Sequence, residues 1–194
     1  MNRYFILNKP FNMVSQFVSS HKVPLLGDLA FKFPEGTHAI GRLDRESEGL
    51  LILTTDKSIT RKIFSGGRPH KRTYLIMVQN KISNETLERL QKGILVKIKA
   101  AEMYLAIPES LSIVKEPLTI CNFASDRREI YPHTWMLITL TEGKYHQVRK
   151  MVLAVRHRCL RLIRLSMEGI NIVEMAPGDV REMPEELFVQ SARI

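Results

Sequence analysis

The sequence has few cysteines and no long apolar run, and each absence excludes classes of protein. Its 194 residues include only two cysteines, Cys121 and Cys159, which lie far apart along the chain. Two cysteines make neither a disulfide framework nor a complete tetrahedral zinc site. The first apolar run ends at Asn8, too early for a signal-peptide core, and no later run approaches membrane-spanning length. We therefore expect a cytoplasmic protein with reduced thiols and no membrane partner.

The motifs of several common chemistries are also missing. The chain carries no P-loop and no dinucleotide-binding glycine motif, and its six histidines include no i, i+4 pair of metal ligands. Asp44 together with Glu46 or Glu48 supplies a carboxylate pair of the kind that glycosidases use, but nothing in the sequence identifies a separate general acid. The sequence thus predicts no metal site.

The charge balance is the unusual part of the composition. Lysine and arginine number 29 against 20 aspartates and glutamates, which gives a net charge of +9. A basic excess of this size indicates a polyanionic partner, nucleic acid before membrane, because no basic amphipathic segment stands out. The alternative interpretation is that the basic surface serves solubility alone, since net charge does not specify binding. The length suits one domain with a substantial core.

Apolar patterning predicts several of the secondary-structure elements. Strands are expected at residues 4–7, 13–18, 50–53, 73–79 and 134–141, and helices at residues 25–33, 56–64 and 83–91. In the last of these helices Ser83 is the expected N-cap, and Gly93 follows the end.

A dense charged loop leads directly into the strand predicted at residues 50–53. Five charged side chains lie between Gly41 and Gly49, namely Arg42, Asp44, Arg45, Glu46 and Glu48. A carboxylate held among fixed cations stays ionised, as a carboxylate nucleophile requires. A solvated turn with surface ion pairs fits the same residues.

Four segments together resemble one enzyme family. GRLDRESEGLLILTTD, which begins at Gly41, resembles the central motif of the bacterial ribosomal-RNA pseudouridine synthases of the RsuA, RluB, RluE and RluF group. The segment LNKP at Leu7 resembles their first motif, KRTY at Lys71 their K-x-Y segment, and EGKYHQVRKM at Glu142 their third motif. The resemblance covers most of the chain.

The resemblance implies an α+β fold and a domain organisation. We expect the pseudouridine synthase fold, with a mixed, mainly antiparallel sheet, flanking helices and a central catalytic cleft between two lobes of residues 1–187, followed by a tail at residues 188–194. Relatives with an N-terminal S4 RNA-binding module carry it before the LNKP segment, where this sequence has little chain. An S4 domain is therefore not expected, as in the RluE-like branch that acts on large-subunit rRNA.

The resemblance also assigns roles to individual residues. It implies that Asp44 attacks a uridine in RNA, that Arg149 pairs with Asp44, and that Tyr74 lies against the base as an acid-base group. Leu162, in an L-x-R segment with Arg164, is expected to help wall the active site. The reaction is an isomerisation of uridine to pseudouridine, which needs no cofactor, and the order of its chemical steps stays open.

The expected partner is rRNA, most specifically 23S rRNA, bound by a monomer. Arg42 is the candidate to fill the space of the flipped nucleotide, because a stacked nucleotide is out of reach of an enclosed carboxylate. The other predicted RNA-binding cations are Lys9, Lys71, Arg72, Lys144, Lys150 and Arg164. The alternatives are a synthase acting on tRNA or small-subunit rRNA, and a catalytically silent RNA-binding or ribosome-assembly factor.

Overall fold

The computed structural model describes residues 2–65, 69–99 and 102–194. Within those ranges the strands are β1 (Tyr4–Lys9), β2 (His38–Ala39), β3 (Glu48–Thr54), β4 (Arg72–Gln79), β5 (Ile94–Lys99), β6 (Glu102–Ala106), β7 (Ser110–Val114), β8 (His133–Leu140), β9 (Cys159–Met167), β10 (Ile170–Asn171) and β11 (Val180–Met183). The α-helices there are α1 (Ile59–Ser65), α2 (Asn84–Lys92), α3 (Gln147–Ala154) and α4 (Glu185–Ala192).

The chain folds into two compact units. The first unit contains residues 1–69 and 164–194, and the second contains residues 70–163. Strand β9 belongs to both, since its residues 159–163 lie in the second unit and residues 164–167 in the first. The first unit is therefore discontinuous in sequence.

In the first unit β1 lies between β3 and β11 and runs antiparallel to both. Tyr4 is the residue opposite Thr54 on one side and Met183 on the other. Every residue of β1 and of β3 is buried, as expected for strands whose two faces are both covered. The strands predicted at residues 4–7 and 50–53 are confirmed, and both are longer than predicted.

Two predictions for the first unit are wrong. Residues 13–18 form no strand, and residues 25–33 contain only a short 3₁₀ turn at Leu26–Asp28. Their apolar side chains do enter the core, where Met13 and Leu26 pack beside the β1 residue Phe5. Irregular backbone therefore supplies these core side chains, and apolar spacing alone does not distinguish it from a regular element.

The helix predicted from Asp56 starts later than expected, because α1 begins at Ile59. The Asp56 carboxylate accepts hydrogen bonds from the amide and the hydroxyl of Ser58, each at 2.8 Å. Such a local side-chain bond stabilises a turn in place of a first helical turn.

The second unit is built on β4 and β8, which pair antiparallel from Arg72 opposite Leu140 to Gln79 opposite His133. Strand β7 pairs with the other edge of β8, and β5 and β6 form a separate two-stranded sheet. These strands confirm the predictions at residues 73–79 and 134–141.

Helix α2 confirms the capping predicted from the sequence. The Ser83 hydroxyl accepts a hydrogen bond from the Thr86 amide at 3.2 Å, and Gly93 follows the helix with φ of +101°. A Cβ atom at Gly93 would lie 2.7 Å from the Ile107 side chain, so both the backbone angle and the space favour glycine there.

The C-terminal helix α4 packs in the first unit and runs through Ala192. Its Phe188 is fully buried, and the Phe188 ring stacks on Tyr4 of β1 with 4.3 Å between ring centroids and 15° between planes. Residues 188–192, assigned to a tail from the sequence, thus continue this helix.

Candidate active site

The loop that carries Asp44 is anchored by a buried lysine. Lys9 ends β1 with a relative exposure of 0%, and its ammonium donates hydrogen bonds to the carbonyl oxygens of Met13 at 2.7 Å and Pro10 at 2.9 Å. A longer bond of 3.4 Å reaches the carbonyl oxygen of Arg45, the residue after Asp44. Lys9 therefore joins the end of β1 to the loop before β3.

The protonation of Lys9 is set by its burial and by two carboxylates. Burial lowers the pKa of Lys9 to about 8, whereas the negative charges of Glu48 and Asp44 act in the opposite direction. The positive charge of Arg164 lowers the pKa further. A buried ammonium needs compensating charge, and Glu48, which is itself buried, contributes more of it than Asp44 does.

The residue before Asp44 is fixed by a serine from an earlier loop. The Ser15 hydroxyl donates to the Leu43 carbonyl oxygen at 2.9 Å, and the Leu43 amide donates to the Ser15 oxygen at 3.0 Å. Leu43 and Ser15 are both buried, while Asp44 is half-buried. A turn follows in which the Ser47 amide donates to the Asp44 carbonyl oxygen at 3.0 Å.

The chain after this turn is fixed by a close backbone approach. Gly49 has φ of +95°, and a Cβ atom there would lie 2.2 Å from the carbonyl oxygen of Arg164. No other residue fits such a contact, which explains the glycine in this motif. The Arg164 guanidinium is buried and donates through Nε to the Leu50 carbonyl oxygen at 2.8 Å.

In the second unit Tyr74 lies on β4, opposite Ile138 of β8. Its side chain is buried in the core of this unit, and Leu162 of β9 belongs to the same cluster. The predicted acid-base tyrosine and the predicted wall residue thus share one apolar cluster.

Arg149 is a half-buried residue of α3. Val148, Met151, Val152 and Val155 follow one another at spacings of 3, 4 and 7 from Val148, which places them on one helix face, and all four are buried in the core of the second unit. The start of the helix is ordered by Gln147, which is buried and hydrogen-bonds to the Lys144 amide and to the Glu142 carboxylate.

Burial divides the predicted RNA-binding cations into two groups. Lys9, Arg72 and Arg164 are at most 7% exposed, and each donates hydrogen bonds to backbone carbonyl oxygens; for Arg72 the acceptor is His70 at 2.9 Å. Such placement suits structural support of the site better than contact with phosphate. Arg42, Lys71 and Lys144 are exposed and Lys150 is half-buried, and Lys71 also forms an ion pair with Glu109.

The structure brings together Lys9, Asp44 and Arg164 in the first unit, and Tyr74, Leu162 and Arg149 belong to the second. The pairing of Arg149 with Asp44 stays a prediction from the resemblance. Sequence reasoning missed Ser15 and the structural role of Gln147. Ser15 carries no local signal because its partner lies 28 positions along the chain, whereas Gln147 belongs to the third motif.

The described residues contain neither a metal-binding cluster nor a membrane-spanning helix. No group of three or more histidine, cysteine, aspartate or glutamate side chains lies close enough there to hold a metal ion. No helix within the same ranges is long and apolar enough to cross a membrane.

Comparison with known proteins establishes the family. Residues 3–154 match the family model described as RNA pseudouridylate synthase. The chain is 34% identical to ribosomal large subunit pseudouridine synthase E of Vibrio vulnificus (strain CMCP6), over 93% of this chain and 75% of that protein. It is 29% identical to ribosomal small subunit pseudouridine synthase A of Escherichia coli (strain K12), over 95% and 71%. This chain therefore belongs to the RNA pseudouridylate synthase family and is an isomerase.

Solved structures agree on the fold. A crystal structure of a pseudouridylate synthase superposes with a TM-score of 0.77 at 24% identity and covers 99% of this chain and 74% of that chain. The human RNA pseudouridylate synthase domain containing 1 superposes with a TM-score of 0.55 at 13% identity, over 97% and 82%. The predicted α+β pseudouridine synthase fold is confirmed.

Proposed function

We propose that this enzyme converts one uridine of large-subunit (23S) rRNA to pseudouridine, acting as a monomer, with Asp44 as the nucleophile. The substrate is supported by the 34% identity to a large-subunit synthase over 93% of the chain. The observation that carries the role of Asp44 is its fixed, half-buried position. Leu43 before it is held by Ser15, and Arg45 after it is held by Lys9.

The proposed reaction rearranges the nucleoside without adding or removing atoms. Asp44 attacks the target nucleoside, the bond between C1′ and N1 opens, and the uracil turns and reattaches to C1′ through C5. N1 gains a proton and C5 loses one, so the product is an isomer and no redox cofactor takes part.

The roles of the other residues divide between chemistry and support. The resemblance assigns Arg149 as the cation that neutralises Asp44 and Tyr74 as the group that takes the C5 proton. Arg42 is exposed beside the catalytic turn and is the candidate to replace the flipped nucleotide in the stack. We assign Lys9 and Arg164 to positioning of the loop, because both are buried and bonded to its backbone or to the strand that follows.

The experiment that tests the substrate is a map of pseudouridines in the rRNA of strains with and without this gene. We expect one 23S position to be uridine in the deletion strain and pseudouridine after complementation with the wild-type gene. Complementation with Asp44→Asn should leave that position as uridine. If the deletion strain instead lacks a pseudouridine in 16S rRNA or tRNA, that RNA is the substrate and the proposal of 23S rRNA is wrong. Identical maps in the two strains would contradict the proposed activity on rRNA.

A further inference from the structure

The turn before α3 is ordered by hydrogen bonds and presents two aromatic rings. The buried Gln147 side chain bonds to both ends of this turn. Its Oε1 accepts from the Lys144 amide at 2.9 Å, and its Nε2 donates to the Glu142 carboxylate. The Gln147 amide also donates to the Lys144 carbonyl oxygen at 3.1 Å. The two residues between them, Tyr145 and His146, are thus held in one arrangement before any ligand binds.

Tyr145 and His146 stack on each other. Their ring centroids lie 3.9 Å apart with 18° between the planes, and His146 has φ of +54°, a left-handed conformation. Tyr145 remains 66% exposed although both His146 and the Lys150 ammonium lie against its ring. Single exposed apolar side chains are ordinary, but an ordered, stacked and exposed aromatic pair is a preformed surface for another flat ring.

Two lysines flank this aromatic pair. The Lys150 ammonium lies over the Tyr145 ring, 5.1 Å from its centroid, and donates to the Lys97 carbonyl oxygen at 2.7 Å, so a base that stacks on Tyr145 itself displaces this ammonium toward the phosphate. The Lys144 ammonium lies 5.2 Å from the ring centroid of Tyr104. Each ammonium has three protons to donate, so these contacts leave donors for a phosphate.

We propose that Tyr145 and His146 form a stacking platform for an unpaired nucleobase of the substrate RNA other than the target uridine, with Lys144 and Lys150 at the adjoining phosphates. Proteins that bind single-stranded RNA combine aromatic rings with cations in this way, because every base has a face that stacks. Extrusion of a uridine leaves its neighbours unstacked, and the platform offers one of them a new stacking partner. The proposal deepens the proposed function and rests on it.

The platform predicts that single-stranded and duplex RNA respond differently to loss of the tyrosine ring. The probes are an oligouridylate and a fully paired RNA duplex of equal length, with binding measured at several salt concentrations. Tyr145→Ala should bind the oligouridylate about tenfold more weakly, as expected for one lost base–aromatic stack, and bind the duplex as the wild type does. The slope of log affinity against log salt should not change, because no phosphate contact is lost.

Three further variants separate stacking from charge and from folding. Tyr145→Phe retains the ring and should retain the affinity, whereas Lys150→Ala should reduce the magnitude of the salt slope by about 0.7. Tyr131→Ala is the matched control, since Tyr131 is 64% exposed in the same unit but outside the platform. Unchanged affinity of Tyr145→Ala for the oligouridylate, or equal weakening on the duplex, would overturn the proposal.

A parallel assay of wild-type turnover keeps this proposal distinct from the proposed function. If wild-type protein forms pseudouridine in 23S rRNA while Tyr145→Ala binds oligouridylate normally, the platform alone fails. If wild-type protein leaves rRNA unmodified while the effect of Tyr145→Ala on oligouridylate persists, the platform stands and the proposed substrate fails.

Discussion

The hydroxyl group of Ser15 hydrogen-bonds to both backbone polar groups of Leu43, the residue before Asp44. It donates to the Leu43 carbonyl oxygen at 2.9 Å and accepts from the Leu43 amide at 3.0 Å. The Leu43 side chain is also packed in the core of the first unit. The backbone that enters the turn with Asp44 is therefore held by both a hydrogen-bonded pair and core packing.

Removal of this hydroxyl should impair both stability and turnover. Ser15→Ala leaves the buried N–H and C=O of Leu43 without their partner, which should lower the free energy of unfolding by about 1–3 kcal/mol. The maximal rate should fall as well, because Asp44 loses its fixed position. Denaturant unfolding measures the first effect, and single-turnover conversion at a temperature where the variant is fully folded measures the second.

Ser112→Ala is the control for Ser15→Ala, because Ser112 is an exposed serine on β7. It should change neither stability nor rate. A full single-turnover rate in folded Ser15→Ala would limit the role of Ser15 to stability.

The proposed nucleophile gives a direct prediction. Asp44→Asn should abolish tritium release from RNA that carries C5-tritiated uridine, since an amide does not replace a carboxylate nucleophile, while RNA affinity stays within a few fold. Glu46→Gln makes the same chemical change two residues away at an exposed position and should remain active. Clear turnover by Asp44→Asn would show that Asp44 is not the nucleophile.

Tyr74→Phe tests the acid-base role with little change in packing. Tyr74 is buried in the core of the second unit, and phenylalanine retains its ring. We expect normal stability and RNA binding, with loss of the final deprotonation at C5 and accumulation of an intermediate on the RNA. Product formation at the wild-type rate would make Tyr74 a packing residue only.

Lys9 predicts a pH dependence of stability. Its pKa of about 8 in the folded protein lies below its ordinary value of 10.5, so the unfolded chain holds more protons between those pH values. The contribution of Lys9 to the free energy of unfolding should therefore be lowest below about pH 8 and rise between pH 8 and 10.5. Lys9→Met should lack this rise when unfolding is measured across that range.

Lys57→Met is the matched control for Lys9→Met, because Lys57 is exposed in the same unit. It should show the rise between pH 8 and 10.5 that the wild type shows. Parallel curves for the wild type and Lys9→Met would mean that Lys9 titrates as an ordinary lysine.

Replacing one buried side chain of the C-terminal helix with alanine should cause a large loss of stability. Phe188 is fully buried and stacks on Tyr4, so Phe188→Ala should lower the free energy of unfolding by about 3–5 kcal/mol. Leu187→Ala changes the neighbouring residue, which is 48% exposed, and should have a much smaller effect. Denaturant melts of both variants check this, and equal small effects would mean that α4 is dispensable.

The sequence predicted the elements whose signals are local. Ser83 and Gly93 bound α2 as their cap preferences indicate, and the uninterrupted apolar run of β3 marks a strand buried on both faces. Residues 13–18 were predicted wrongly because Met13 and Phe17 pack into the core from irregular backbone. Burial of these side chains depends on tertiary packing. Apolar residues that alternate in sequence can therefore be buried without forming a strand.

The same distinction applies to the candidate site. Asp44, Tyr74 and Arg149 come from motifs, and the structure shows where each lies in the fold. The burial of Lys9 and Arg164 was not predictable, because a basic residue in a basic protein suggests a surface cation. Arg164 is buried because a distant strand brings it the Leu50 carbonyl oxygen. Lys9 bonds to the nearby carbonyl oxygens of Pro10 and Met13, and the carboxylates that offset its burial come from a later loop.

The place of β11 beside β1 has a consequence for biosynthesis. Strand β1 is synthesised long before the partner of its outer edge, Val180–Met183, because the two strands lie at widely separated positions in the sequence. An apolar strand with an open edge is a template for pairing with other chains. A nascent or truncated chain that ends before Val180 therefore lacks the β11 partner of Phe5 and Leu7, and the open edge of β1 is then available for pairing with other chains.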